Sequence, residues 1–302
     1  MDDHPCFSLA AEVGWTTYIS MKYRWLFVLF VFTVTSAFGQ WSNFPTPGTP
    51  RTRDGKTNLA APAPRAPDGR PDLSGVWMHE TTSVAEVRRL FGNRFDFDIE
   101  LSPAGMEIGT QHKYAFDIFV DLKADELMRP ATEELFRKRA SEFGSANVCN
   151  RVLGFPLAGL LSEPIKIVQA PKLTMILYEV DNLRRQIFTD GRKLPKDFDL
   201  PAYLGYSAGH WERDTFIVET AGFNDKTPLD VMGHPHSDAL HVTERFHRRD
   251  FGHLDVEMTF DDPQMYTKPF TVKIPHYLLP DADIFEMFCN ENEKDRIHLG
   301  RQ

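Results

Sequence analysis

From Ile165 onward the chain is a succession of short β-rich runs separated by turn residues, and this pattern narrows the possible folds more than any other feature. "IKIVQ" is followed by Pro171 and "LTMILYEV", in which Leu173, Met175 and Leu177 alternate with Thr174, Ile176 and Tyr178. "RRQIF" precedes a turn at Asp190-Gly191, and "LGYSAGHW", "DTFIVETAGF", "ALHVTERFHR", "HLDVEMTF" and "FTVKIPHYLL" continue the series. Closely spaced alternating runs of this kind belong to a mainly β fold, an antiparallel barrel or a barrel-like sandwich. Nothing reads as a βαβ unit and no glycine-rich phosphate loop is present, which argues against a nucleotide cofactor. Residues 84–143 form a mixed helical insertion. Within it "ATEELFRKRASEF" (Ala131 to Phe143) has helical spacing, with Leu135, Phe136 and Phe143 as apolar contacts, Pro130 before its start and Gly144 to stop it.

The N-terminal part has a different character. "MKYRWLFVLFVFTVTSAFGQ" places Lys22 and Arg24 before an apolar run from Trp25 to Val34, with Ala37 and Gly39 at the −3 and −1 positions of a cleavage site. That is the build of a secretory signal peptide at residues 21–39. The run is shorter than the roughly 20 residues that span a bilayer, so no stable membrane insertion is expected after cleavage. Residues 1–20, acidic and irregular, read as a leader ahead of a true start at Met21. The expected product is residues 40–302, exported to the periplasm or secreted. A net charge of −9 with no basic block argues against a nucleic-acid partner. In an oxidising compartment Cys149 and Cys289 are expected to pair as one disulfide, with zinc ligation or a reactive thiol as the other possibilities.

Residues 40–71 form a proline-rich arm with an internal echo. Pro50 opens "PRTRDGKTNL" and Pro64 opens "PRAPDGRPDL", sharing Pro-Arg, Asp-Gly, a cation, an amide or acid, and Leu. Asp-Gly is turn chemistry and the prolines favour extension, so this segment reads as an arm lying on a body that begins near Asp72, or else as a tether.

Two strand pairs carry the candidate chemistry. A two-residue turn at Arg213-Asp214 would set Trp211 opposite Phe216 and Gly209 opposite Val218 on one face. On the other face His210 lies opposite Ile217 and Ala208 opposite Glu219, which makes His210 and Glu219 neighbours, in a site or simply outside. In "LHVTERFHR", Leu240, Val242, Glu244 and Phe246 share a face. A carboxylate on that apolar face needs a proton, a metal or a cation, because an unpaired buried charge is severely penalised. Glu244 is therefore either part of a reactive centre or paired with a buried arginine such as Arg185. His234 and His236, two apart in an extended segment, can reach one ion. With Glu244 or His210 they would form a His/His/carboxylate site for a divalent metal such as zinc. Two other readings are open: metal-free acid–base chemistry by Glu244, His210 and His236, or a loop fixed by hydrogen bonds from His234 and His236 to Asp238 and backbone. His241, His247 and His253 read as surface residues. Tyr178, Arg185, Tyr206, Asn224 and Asp225 carry polar groups able to orient a ligand at a barrel mouth, and Trp211 and Glu219 complete the expected ligand set. Gly205-Tyr206-Ser207-Ala208-Gly209 matches G-x-S-x-G, but in a strand–turn–strand setting that does not suit a nucleophile elbow.

"PDLSGVW", "IFTDGR", "GHWERDTFIVETAGFND", "HPHSDALHVTERF" and "DFGHLDVEMTFDDPQMYTKPFTV" together resemble a family of exported bacterial proteins, over most of the chain from about Pro50. The resemblance implies export and brings no catalytic assignment. Gly75-Val76-Trp77 also resembles the G-x-W of lipocalin-type barrels, which implies a barrel enclosing one small apolar ligand. Three functions are consistent with these residues. The first is a hydrolase or lyase acting on a small apolar molecule through the His/Glu cluster. The second is a non-catalytic carrier, and the third a surface protein that binds partners through its arm.

Overall fold

The computed structural model describes residues 46–92, 112–142, 152–161 and 163–288. They fall within one compact unit, Pro45–Gln302. The expected signal peptide, the residues before it, Phe143, Gly144, Cys149 and Cys289 lie outside the described residues.

Nine strands close into a barrel in chain order: β1 (Gly75–His79), β2 (Ile165–Ala170), β3 (Leu173–Tyr178), β4 (Arg184–Phe188), β5 (Tyr206–Glu212), β6 (Thr215–Ala221), β7 (His241–Arg248), β8 (His253–Asp261) and β9 (Phe270–Leu278). Closure comes from β1 pairing with β9, with Trp77 opposite Leu278 and His79 opposite His276. Eight of the nine neighbouring pairs are antiparallel. The exception corrects the all-antiparallel expectation: β4 and β5 run parallel, with Ile187 beside Ser207, because residues 189–205 carry the chain back to the end from which β4 started. The β5–β6 hairpin has the expected register, including Trp211 opposite Phe216 and His210 opposite Ile217.

Alternation along each strand sorts side chains to the inside or outside of the wall. Trp77, Ile165, Ile167, Ile176, Ile187, Phe216, Val218, Val242, Phe246, Leu254, Val256, Met258, Phe260, Val272, Ile274 and Leu278 are all buried in one continuous apolar core. Space inside is tight where the wall carries glycine. A Cβ on Gly209 would stand 2.6 Å from Phe216 Cζ and 2.9 Å from Ile187 Cγ2.

The two ends of the barrel are closed by different parts of the chain. At the end holding the 213–214 and 249–252 turns lies the arm. Its two repeats adopt the same geometry fourteen positions apart. Arg51 pairs with Thr57 and Arg65 with Pro71 in isolated bridges, and each arginine donates to the carbonyl of the glycine in its own Asp-Gly turn. Arg65 then holds Asp214 through two bonds of 3.0 and 2.9 Å, and Arg51 holds Asp281. Phe251 and Gly252 donate backbone bonds to Ala61 and Leu59. Arg248 bonds the carbonyls of Asp72, Asp250 and Phe251 and lies 4.8 Å from the Trp77 ring, so one cation closes this end.

At the opposite end lie the insertion between β1 and β2 and the long β6–β7 connection. The insertion carries α1 (Val84–Phe91), α2 (Lys113–Phe116), α3 (Ala124–Leu127) and α4 (Pro130–Glu142). Ser83 caps α1 by accepting from the Glu86 amide, and α4 starts at Pro130, one residue ahead of the expected position. No helix among the described residues is long and apolar enough to cross a membrane.

The wall packing makes a direct prediction. Gly209→Ala should destabilise the protein by about 1–3 kcal/mol through overpacking against Phe216 and Ile187. Urea unfolding of the variant beside wild type checks this, and an unchanged midpoint would show the interior to be looser than described.

Candidate functional site

Three polar centres lie at the end of the barrel covered by the insertion. The first is inside the wall. Glu244 of β7 is buried, as its position in the alternation requires, and its partner is Arg185 of β4. Arg185 Nη2 donates to Glu244 Oε2 and, at 2.6 Å, to Thr220 Oγ1, and Nε donates to Ser207 Oγ at 2.9 Å. The guanidinium lies over the Phe155 ring, 3.8 Å from its centroid. Burial opposes the charge on Arg185, but Glu244 and the Tyr178 hydroxyl beside it prevail and raise its basicity. Burial pushes the Tyr178 phenol up, with Arg185 pulling the other way. Arg185 Nη1 is buried and has no hydrogen-bond partner among the described residues.

The second centre is the β6–β7 connection. Asp230, fully buried, accepts from the amides of Ile118 (2.7 Å), Gly233 (3.0 Å) and His234 (3.1 Å), and from His234 Nδ1 at 2.6 Å. The His234 ring stacks on Phe136 of α4 at 4.1 Å and meets Phe119 edge-on at 4.8 Å. Burial pulls the His234 pKa down, but Asp230, with Asp117 beside it, prevails and leaves it raised. The ligand atoms of Asp117, Asp230 and His234 lie within 4.8 Å of one another, the spacing of a metal site. Much of that proximity is the His234–Asp230 hydrogen bond itself. Both Asp230 oxygens are saturated by donors, so the set offers an ion little unless these bonds break. What the pair provides is an oriented imidazole whose Nε2 makes no hydrogen bond among the described residues, the arrangement of a general base held by a carboxylate. His236 is separate: Nδ1 donates to the Ser237 carbonyl at 3.0 Å and Nε2 meets Thr227 Oγ1 at 3.2 Å.

The third centre was not anticipated from the sequence. His79 of β1, His276 of β9 and His112 just before α2 are all buried. Their ring centroids stand 5.9 Å apart for His79–His112 and 6.3 Å for His79–His276. His112 also lines a cleft of about 540 Å³ with Thr82, Ser83, Tyr114, Thr271 and Lys273. Strand parity held the signal. His79 falls two residues after Trp77, and His276 lies in register with Ile274 and Leu278, so both belong to the core face by the argument that placed Glu244 there.

The expected site residues do not assemble. His210 is on the outer face, exposed, with Nε2 3.6 Å from Glu212 Oε1, while Glu244 points inward; the barrel wall separates them. Glu219 is also outside, 4.0 Å from His241 Nε2. His234, His236 and Glu244 bond to Asp230, Thr227 and Arg185 respectively, so the expected metal triad is not formed. The loop-fixing reading describes His234 and His236 better, with Asp230 in the role expected of Asp238. Of the expected ligand set only Tyr178 and Arg185 share the interior. Trp211 packs on Phe216 at the arm end, and Tyr206 accepts from Arg192 on the outside. Asn224 turns back on the Lys226 amide, and Asp225 is exposed. Ser207 sits within β5, its hydroxyl held by Arg185 and Thr220, which is not the posture of a nucleophile. No family model, curated protein or solved structure matches the chain.

The buried imidazoles set the pH dependence. Burial lowers the pKa of His79 and His236 and pulls His112 and His276 down to about 3 from 6.5. Folding therefore excludes their protons: the stabilisation is complete above the unfolded value and is lost as pH falls through it toward the folded values. His234 has the opposite sign, contributing below the unfolded value and losing its contribution as pH rises through its raised one. Below pH ~6.5 stability should fall by up to about 1.4 kcal/mol per pH unit for each excluded proton. His276→Leu should remove about one proton's worth of that slope in urea-unfolding series between pH 7.5 and 5, and an unaltered slope would contradict the assignment.

Proposed function

We propose that the protein is an exported barrel that binds one small, largely apolar molecule carrying an acceptor oxygen, with Arg185 as its anchor. The observation carrying this reading is the buried Nη1 of Arg185, a charged donor that makes no hydrogen bond of good geometry while the same side chain's other polar atoms are bonded and the buried Tyr178 hydroxyl interacts with the guanidinium. Buried donors are nearly always satisfied, and a charge-assisted bond to an incoming carboxylate or carbonyl would satisfy this one. Phe155, its ring centroid 3.8 Å from the guanidinium, supplies apolar surface beside the anchor. The signal-peptide pattern at residues 21–39 supports export. With Glu244 neutralised by Arg185 and separated from His210, the interior offers recognition rather than acid–base chemistry.

A catalytic reading, a hydrolase or lyase, rests on a different residue from those expected. His234, oriented by Asp230 and with Nε2 uncommitted, is the one candidate base among the described residues that has a buried carboxylate orienting it.

A dansyl-labelled undecanoate and its alcohol analogue test the carrier reading. Wild type should bind the carboxylate roughly 10- to 100-fold more tightly than the alcohol, the worth of a hydrogen bond to a charged group. Arg185→Met alone should cost about 3–5 kcal/mol of stability by stranding Glu244, whereas Arg185→Met with Glu244→Met should fold and lose the preference. Equal affinity of wild type for both probes, or a preference retained in the double variant, would rule out Arg185 as the anchor.

A further inference from the structure

The three-histidine centre is independent of the Arg185 anchor. His79 and His276 face each other across the seam that closes the barrel. Glu80 donates to the Pro275 carbonyl and Leu279 to that of Val76, so the His79–His276 pair between them is a non-hydrogen-bonded one, in which side chains approach most closely. His112 approaches His79 from the insertion. Neither nitrogen of His79 makes a hydrogen bond of good geometry among the described residues, although the side chain is 2 % exposed; the nearby backbone of Leu161 and Glu80 only partly offsets the effect of burial on it. His276 donates Nδ1–H to the Ile274 carbonyl at 2.8 Å, which fixes the tautomer and leaves the Nε2 lone pair available. A metal-ligating imidazole is oriented by the same kind of bond.

We infer that His79, His112 and His276 bind a divalent first-row transition ion, with zinc as the reference case, reached through the cleft that His112 lines. Imidazole nitrogen is the donor that zinc, copper and nickel share, and three such donors leave a fourth position open. No carboxylate has to be unpaired to admit the ion, in contrast to Asp230. Three imidazoles on one tetrahedral ion, each nitrogen about 2.0–2.1 Å from it, place their ring centroids about 5 Å apart. The distances of 5.9 and 6.3 Å exceed that by about 1 Å, and the nitrogens of the three rings do not all lie within 4.8 Å of one another as they stand, so binding an ion requires the rings to close on it. His112 must release its 3.4 Å bond from the Tyr114 amide if Nδ1 is its ligand atom, and that bond is already long.

The test uses the full chain after chelator treatment, titrated with zinc and with cobalt(II). One equivalent should bind saturably, cobalt should give the intense visible bands of a four-coordinate site, and X-ray absorption of the zinc form should show three imidazole nitrogens at about 2.0–2.1 Å. His79→Gln, His112→Gln and His276→Gln should each weaken binding roughly tenfold or more, while His210→Gln on the outer wall leaves it unchanged. If the two wall variants fail to fold, His112→Gln and the wild-type absorption spectrum decide. No saturable uptake, an oxygen-dominated shell, or equal uptake by wild type and His112→Gln would overturn the site.

Discussion

A guanidinium and a carboxylate held inside an apolar barrel are the constraint around which the interior is arranged. Moving either ion alone out of water costs several kcal/mol even after relaxation, and mutual attraction offsets this only when the remaining donors and acceptors also find partners. Arg185 and Glu244 meet that condition with groups from several parts of the wall: Ser207 of β5, Thr220 of β6, and the Phe155 face above. β4, β5, β6 and β7 are thus tied by one side chain across the parallel β4–β5 junction, the only parallel pair in the barrel. Such a pair adds little net stability compared with a hydrophobic replacement, but it penalises any register that strands one partner. A one-residue slip of β7 would turn Glu244 to solvent and leave Arg185 buried alone.

The two ends of the barrel are closed by different chemistry. At the arm end, arginines bond carbonyls and surface carboxylates: Arg248 to three backbone oxygens, Arg65 to Asp214 and Arg51 to Asp281. At the other end, buried carboxylates bond amides. Asp230 gathers those of Ile118, Gly233 and His234, while Asp262 takes the Ser237 amide and hydroxyl. The insertion is fastened to the β6–β7 connection through Asp230, and the β8–β9 turn through Asp262. A connection of that length stays ordered because its amides are satisfied by side chains where no neighbouring strand is available.

Periodicity made the wall legible. Alternation in "LHVTERFHR" put Glu244 on the core face and raised Arg185 as its partner, and the two-residue turn at Arg213-Asp214 fixed the hairpin register residue by residue. The same argument applied to "GVWMH" and "TVKIPHYLL" would have placed His79 and His276 inside. The cluster of histidines after Gly233 drew the reading elsewhere because it was dense in sequence, although density along a chain says little about convergence in space. His210 went wrong for a related reason: hairpin pairing brought it near Glu219 correctly, but on the face turned away from Glu244. Asp230 carried no periodic signal, since it lies in a connection and its role depends on Ile118, more than a hundred residues earlier. The return crossover at 189–205 was equally hidden, because strand direction is not written in alternation.

Unspent hydrogen-bonding capacity separates the three polar centres more sharply than residue type does. Among the described residues, only four buried side-chain atoms lack a partner: both nitrogens of His79, Arg185 Nη1 and Glu163 Oε2. Burial raises the pKa of Glu163, and Glu179 and Asp181 push the same way, so a proton there relieves that atom without any ligand. The other three cannot be relieved so simply. A guanidinium cannot lose its charge under ordinary conditions, and burial opposes protonation of His79. One leftover is thus a cationic donor that calls for an anion or a carbonyl, and the other is a neutral imidazole with one N–H and one lone-pair nitrogen, the latter being the atom a cation would take. Asp230, with every oxygen engaged, calls for nothing. Opposite leftovers call for ligands of opposite kind, so the proposed anchor and the proposed histidine site are chemically distinct although they share one end of the barrel.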